Sequence, residues 1–111
     1  MSTISWDDFE KIDMRVGTIL EVNDFPKARK PAYQLRIDFG ELGIKNSSAQ
    51  IVNLYSAEEL VGKQIIAVVN FPPKQIANFI SECLVMGIYN ENQEVVLVSP
   101  DQKTANGCKI G

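Results

Sequence analysis

The segment "YQLRIDFG" alternates strictly, with Tyr33, Leu35, Ile37 and Phe39 on one face and Gln34, Arg36 and Asp38 on the other. A period of two marks a half-buried strand. "DMRVGTILEV" follows the same rule: Met14, Val16, Thr18, Leu20 and Val22 share a face, and Arg15, Gly17, Ile19 and Glu21 share the opposite one. Gly17 inside that pattern signals a bend, a bulge or a close backbone approach. "KNSSAQIV" reads as a more polar strand. "QIIAVVNF" is a continuous β-branched apolar run, suited to burial on both sides. "CLVMGIY" and "EVVLVSP" follow, separated by the turn-like "NENQ".

Two short helical turns interrupt this series. In "YSAEELVGK", Ser56 stands as an N-cap with Glu59 three residues on, and Gly62 suits the exit. "WDDFEKID" predicts another turn, capped by serine or aspartate, with Trp6 and Phe9 docking on the body of the protein. The expected fold class is all-β: five or six strands with one short helix between the third and fourth. A small antiparallel barrel accounts for it, because closure removes the exposed edges of short strands. The connection order favours a five-stranded oligonucleotide/oligosaccharide-binding (OB) barrel over a generic meander.

At 111 residues the chain predicts one domain, residues 1–111, with one core. No repeat, linker or low-complexity tract divides it. The longest apolar run is too short for a bilayer, which excludes membrane insertion by a helix. The segment "MSTISWDDFEK" is acidic and lacks a signal-peptide pattern, so the expected compartment is the cytoplasm. There Cys83 and Cys108 are read as free thiols rather than a disulfide.

The absence of histidine removes the usual general base, the commonest zinc ligand and the familiar nucleophile–histidine arrangements. No glycine-rich phosphate loop is present. The expectation is a non-enzyme with no catalytic residues, no metal and no cofactor. A net charge of −3 excludes a nonspecific nucleic-acid coat, so any polyanion surface must be a local patch. "FPKARKPAY" offers one, with Lys27, Arg29 and Lys30 between Pro26 and Pro31. It is either a solvated loop or a stiffened basic finger set for phosphate oxygens. Arg15 and Arg36 fall on polar strand faces, able to project from one side or to pair with Asp13, Glu21 or Asp38.

"NFPPKQIANFISECLVMG" is the odd stretch, with large apolar residues beside Lys74 in what reads as a loop between strands. Phe71, Ile76, Phe79 and Ile80 there point to a covered surface, either a second subunit or a groove for unfolded polypeptide. Most aromatics fall on core faces, and Phe25, Tyr55, Phe71 and Phe79 are the candidates for exposure. With few stacking platforms, any nucleic acid bound here would be recognised by shape and phosphate rather than by sequence.

"DFEKIDMRVGTILEV", "SSAQIV", "EELVGKQIIAVVNFPPKQIANFISE", "CLVMG" and "NGCKIG" together resemble the tRNA-binding-domain superfamily, in the same order over residues 8–111. That superfamily includes appended domains of methionyl- and phenylalanyl-tRNA synthetases, and the match is to its small CsaA-like members. The resemblance implies an OB barrel, a homodimer that uses terminal extensions, tRNA binding, and a chaperone role in export toward precursor polypeptides. Carried over by block, it implies tRNA contacts at Arg15, Ser47, Ser48, Gln50, Asn70, Lys74 and Ser81, beside Lys27, Arg29, Lys30 and Arg36. Within the loop, Gln75, Asn78 and Ile80 make this chain less basic and more apolar than the family pattern. The first functional expectation is a non-catalytic, homodimeric tRNA-binding module. The alternatives are a polypeptide-binding export chaperone and a docking partner for a synthetase.

Overall fold

The alternation over residues 33–39 builds β2, Tyr33–Asp38, in which Tyr33, Leu35 and Ile37 are buried and Arg36 is exposed. The computed structural model describes residues 1–111. β2 lies between β1, Met14–Asp24, and β3, Ile44–Ala49, both antiparallel to it. β4, Gln64–Val68, pairs with the first half of β1, and β7, Leu84–Val85, pairs with β4, giving the order β3-β2-β1-β4-β7. The helix α2, Ala57–Leu60, sits between β3 and β4 as expected, with the Ser56–Glu59 capping box formed and Gly62 at φ 91°. These five strands form a nearly closed barrel. Its core gathers Ile19, Leu35, Ile37, Phe39, Leu60 and Ile65, all without solvent exposure.

The expected faces of β1 are reversed over its first half. Thr18 pairs with Asp38 and Ile19 with Ile37, but Glu21 pairs with Arg36, so Leu20 is an extra residue in a bulge. Before the bulge Gly17 and Ile19 face the core; after it Val22 does, while Leu20 is exposed. A bulge shifts a period-two pattern by one place and bends the strand, letting β1 serve two neighbours. Gly17 is where Phe39 crosses: a Cβ there would stand 2.6 Å from Ile37 Cγ2 and 2.7 Å from the Phe39 ring.

β3 and β7 share no ladder, yet they close the barrel. The buried Ser47 hydroxyl donates to the Cys83 carbonyl (2.8 Å). Glu82 N–H donates to the Asn46 carbonyl (2.8 Å), and Asn46 N–H donates to the Glu82 carboxylate (2.9 Å). Ser48 N–H donates to Ser81 Oγ (3.2 Å).

The stretch read as a loop between strands contains a second small element. β5, Lys74–Ile76, and β6, Phe79–Ser81, form a hairpin turning at Ala77–Asn78, with Ala77 at φ 52°. A further hairpin joins β8, Gly87–Tyr89, to β9, Val95–Leu97, across the anticipated "NENQ" turn. The C-terminal segment covers the edge of β1 that β2 leaves free: Gly107 N–H donates to Val16, Val16 to Cys108, and Ile110 to Met14. At the other terminus, α1, Trp6–Glu10, carries a Ser5–Asp8 capping box but buries no residue. Trp6 stacks on Phe9 and stays 68% exposed, so it is not docked as expected.

Gly17→Ala should destabilise the protein by about 1–3 kcal/mol through overpacking at Phe39, read as a lower urea midpoint at unchanged slope. Burial pushes the Cys83 thiol up to about 11, against a lesser opposing effect from Ser47. The unfolded thiol ionises first, so stability is full below about pH 8.5 and falls as pH rises toward 11, by up to about 1.4 kcal/mol per unit. Cys83→Ala should flatten that decline in urea melts across the range; an unchanged decline would assign it to other groups.

Candidate nucleic-acid interface

The basic segment is the connection between β1 and β2. Phe25 and Ala32 are buried at its ends, and Ala28 N–H donates to the Phe25 carbonyl, closing a tight turn. Pinned in this way, the loop holds Lys27, Arg29 and Lys30 exposed. None of them has a carboxylate partner: the ion pairs are Lys11–Asp8, Arg15–Asp13 and Arg36–Glu21. The Phe25 ring meets Phe79 edge-on, centroids 5.4 Å apart, which ties this loop to the hairpin carrying the exposed and unpaired Lys74. In barrels of this order, the loops after the first and fourth barrel strands are those that grip oligonucleotides. Here those connections carry four of the eight lysines and arginines that lack a carboxylate partner.

Beside the basic loop runs a groove of about 670 Å³. It is lined by Lys30 and Pro31, by residues 48–53, and by Leu84–Gly87, Tyr89, Gln93 and Val95. It brings together Lys30, Ser48 and Gln50 from the expected set. It also contains Tyr89, 73% exposed, which the sequence reading did not single out. Its place at the end of "CLVMGIY", next to a turn, was the only local signal.

Other expected contact residues are occupied elsewhere. Ser47 is fully buried, and its hydroxyl is committed to Cys83, so it is corrected from a tRNA contact to a closure residue. Ser81 Oγ accepts from Ser48 N–H and donates to the Cys83 carbonyl (3.4 Å). The Asn70 amide donates to the Lys11 carbonyl and accepts from Asp13 N–H, fastening the N-terminal turn to the end of β4. Arg15 donates to Asp13 (2.6 Å) and to the Gly107 carbonyl (3.0 Å), and lines a separate cleft with Phe39, Glu41 and Asn106. That bond to Asp13 raises its already high pKa and keeps it charged. Arg36 lies on the outer face against Glu21 at 3.7 Å. The two arginines therefore do not project from one side.

The apolar residues also divide. Ile76 and Phe79 are half-buried on one face of the hairpin, whereas Ile80 and Phe71 are 53% and 54% exposed. Phe25 is buried and Tyr55 is half-buried, its hydroxyl accepting from Leu97 N–H, so neither offers a stacking face. No group of three or more metal-binding side chains is assembled. No helix is long and apolar enough to cross a membrane.

Residues 14–109 match the family model described as "Putative tRNA binding domain". Among solved structures, the chaperone CsaA from Bacillus anthracis is 50% identical with a TM-score of 0.94, covering 99% of this chain and 100% of that one. The CsaA chaperone protein from Picrophilus torridus is 58% identical with a TM-score of 0.92, covering 98% and 100%. A methionine–tRNA ligase from Bacteroides fragilis is 35% identical over 109 residues, 98% of this chain but 16% of that enzyme. The chain thus spans about a sixth of the curated relatives it matches. By its barrel, its loops and these likenesses, the chain belongs to the putative tRNA-binding-domain family, among its CsaA-like members.

Proposed function

We propose that this protein is a non-catalytic tRNA-binding module of the cytoplasm. It grips RNA phosphates with Lys27, Arg29 and Lys30 on one barrel loop and Lys74 on another. One observation carries the reading: four exposed cations without carboxylate partners, on two loops joined by the Phe25–Phe79 contact. In a protein of net charge −3, such a cluster makes a local positive field. Family membership and the synthetase relatives support tRNA as the polyanion. In this reading Arg15, Arg36 and Asn70, whose side chains are engaged within the chain, take a smaller share of RNA contact than the loops. In a homodimer, two such patches on one folded RNA would gain through effective concentration.

A second reading concerns polypeptide, and rests on the exposed Phe71, Ile80, Leu84 and Ile88 together with the chaperone likenesses. Self-association is the simplest cover for such surface, and any remainder would hold an unfolded chain at its rim.

Titration of labelled total tRNA across salt concentrations tests the first reading. Wild type should bind with a steep salt dependence, and a Lys27/Arg29/Lys30/Lys74→Ala variant should flatten the log–log slope by about three. Absence of wild-type binding at low salt would shift the assignment to polypeptide. For the dimer, Ile80→Asp should halve the sedimenting mass with the fold intact, whereas Phe79→Asp should chiefly lower Tm, because Phe79 packs on Phe25 within one chain. An Ile80→Asp protein that keeps the mass of wild type would remove Ile80 from the interface.

A further inference from the structure

We infer that the groove beside the basic loop receives an unpaired nucleotide of the RNA, its base stacked on Tyr89 and its phosphate held by Lys30. This rests on the tRNA-binding reading and extends it from phosphate contact to the base. The first support is charge. The chain has fourteen carboxylates, yet none of the fifteen residues lining this groove is acidic. A basic or precursor-type peptide would find no anion there, whereas a polyanion meets one cation, Lys30, with neutral polar groups set among apolar side chains.

The second support is the state of the polar groups. The side chains of Lys30, Ser48, Gln50, Asn53, Tyr89 and Gln93 line the groove, and none makes a hydrogen bond or an ion pair within the chain. Elsewhere the protein spends such groups on itself, as Ser47, Ser81 and Asn70 illustrate. Amides and hydroxyls offer both donors and acceptors, the complement of a base edge and a ribose 2′-hydroxyl. Tyr89 supplies the missing stacking face, and it stands at the end of a hairpin strand, fixed by its pairing with Val95. About 670 Å³ suits one or two nucleotides and is far too small for a helix of RNA. The groove therefore selects a flipped-out or single-stranded element, while the loop cations follow the backbone around it.

The test compares tRNA, a short single-stranded RNA carrying one 2-aminopurine, and a duplex of the same length. Wild type should prefer the single strand to the duplex and quench the 2-aminopurine. Tyr89→Ala should weaken both single-strand and tRNA binding about tenfold at an unchanged salt slope, with Tyr89→Phe near wild type. Lys30→Ala should instead lower the slope by about one. If wild type binds tRNA and Tyr89→Ala binds it equally well, the groove is not used, and the loop-based reading survives alone. If wild type binds no tRNA at low salt, both readings fail. A Tyr89→Ala protein with altered sedimenting mass assigns the ring to a second copy. One that loses only its protection of an aggregating polypeptide assigns the groove to polypeptide. Either result overturns the proposal.

Discussion

Five short strands can form a barrel only if the first and last edges meet, and here the last strand is two residues long. A ladder of that length cannot close the gap. The closure is instead made by Asn46–Ser48 against Ser81–Cys83, through hydroxyls, a carboxylate and isolated backbone bonds. Ser47 is the centre of it. Its hydroxyl is fully buried, so water does not compete for the bond, and an unpaired carbonyl there would carry the full desolvation penalty. The same seam holds the β5–β6 hairpin against the end of β3, beside the basic loop. Lys74 and the Phe25–Phe79 contact lie on the hairpin held there, and Ser48 of the seam also lines the groove.

This geometry sorts the charges of an acidic protein into two kinds. Arg15 and Arg36 sit on strands, where a neighbouring residue or the paired strand presents a carboxylate at close range. Lys27, Arg29 and Lys30 sit on a loop pinned by the buried Phe25, and Lys74 opens β5 in the hairpin that Phe79 ties to that loop; none of the four makes an ion pair. A paired arginine contributes little field at a distance, because its carboxylate screens it. Unpaired cations on neighbouring loops add. Net charge therefore describes the solubility of this protein better than it describes its binding surface.

The hairpin resolves why large apolar residues stand beside Lys74. Two short strands still obey a period of two, so one segment can present unlike faces. Ile76 and Phe79 face inward toward the β1–β2 loop, while Gln75 and Ile80, directly opposite each other in the pair, face out. Part of the apolar content is thus ordinary intrachain packing. The remainder is available to a partner.

Periodicity and capping are local properties, and the sequence displayed them openly: the faces of Tyr33–Phe39, the Ser56–Glu59 cap, the helix between the third and fourth strands, and the barrel these imply. That the basic segment is an exposed loop was legible for the same reason, since three cations between two prolines interrupt the strand pattern. Bulge and hairpin were not. Leu20 looks like any alternating residue until β2 fails to match it, and a non-glycine residue at positive φ, Ala77, hides a turn. The polar site residues were least legible, because a hydroxyl or amide is defined by its partner rather than by its neighbours in sequence. Ser47 and Cys83 are 36 positions apart, as are the partners Asn46 and Glu82. Only folding decides that Ser47 and Asn70 are spent inside the chain while Ser48, Gln50 and Tyr89 stay free, since hydrogen bonds between distant residues form only when the barrel closes.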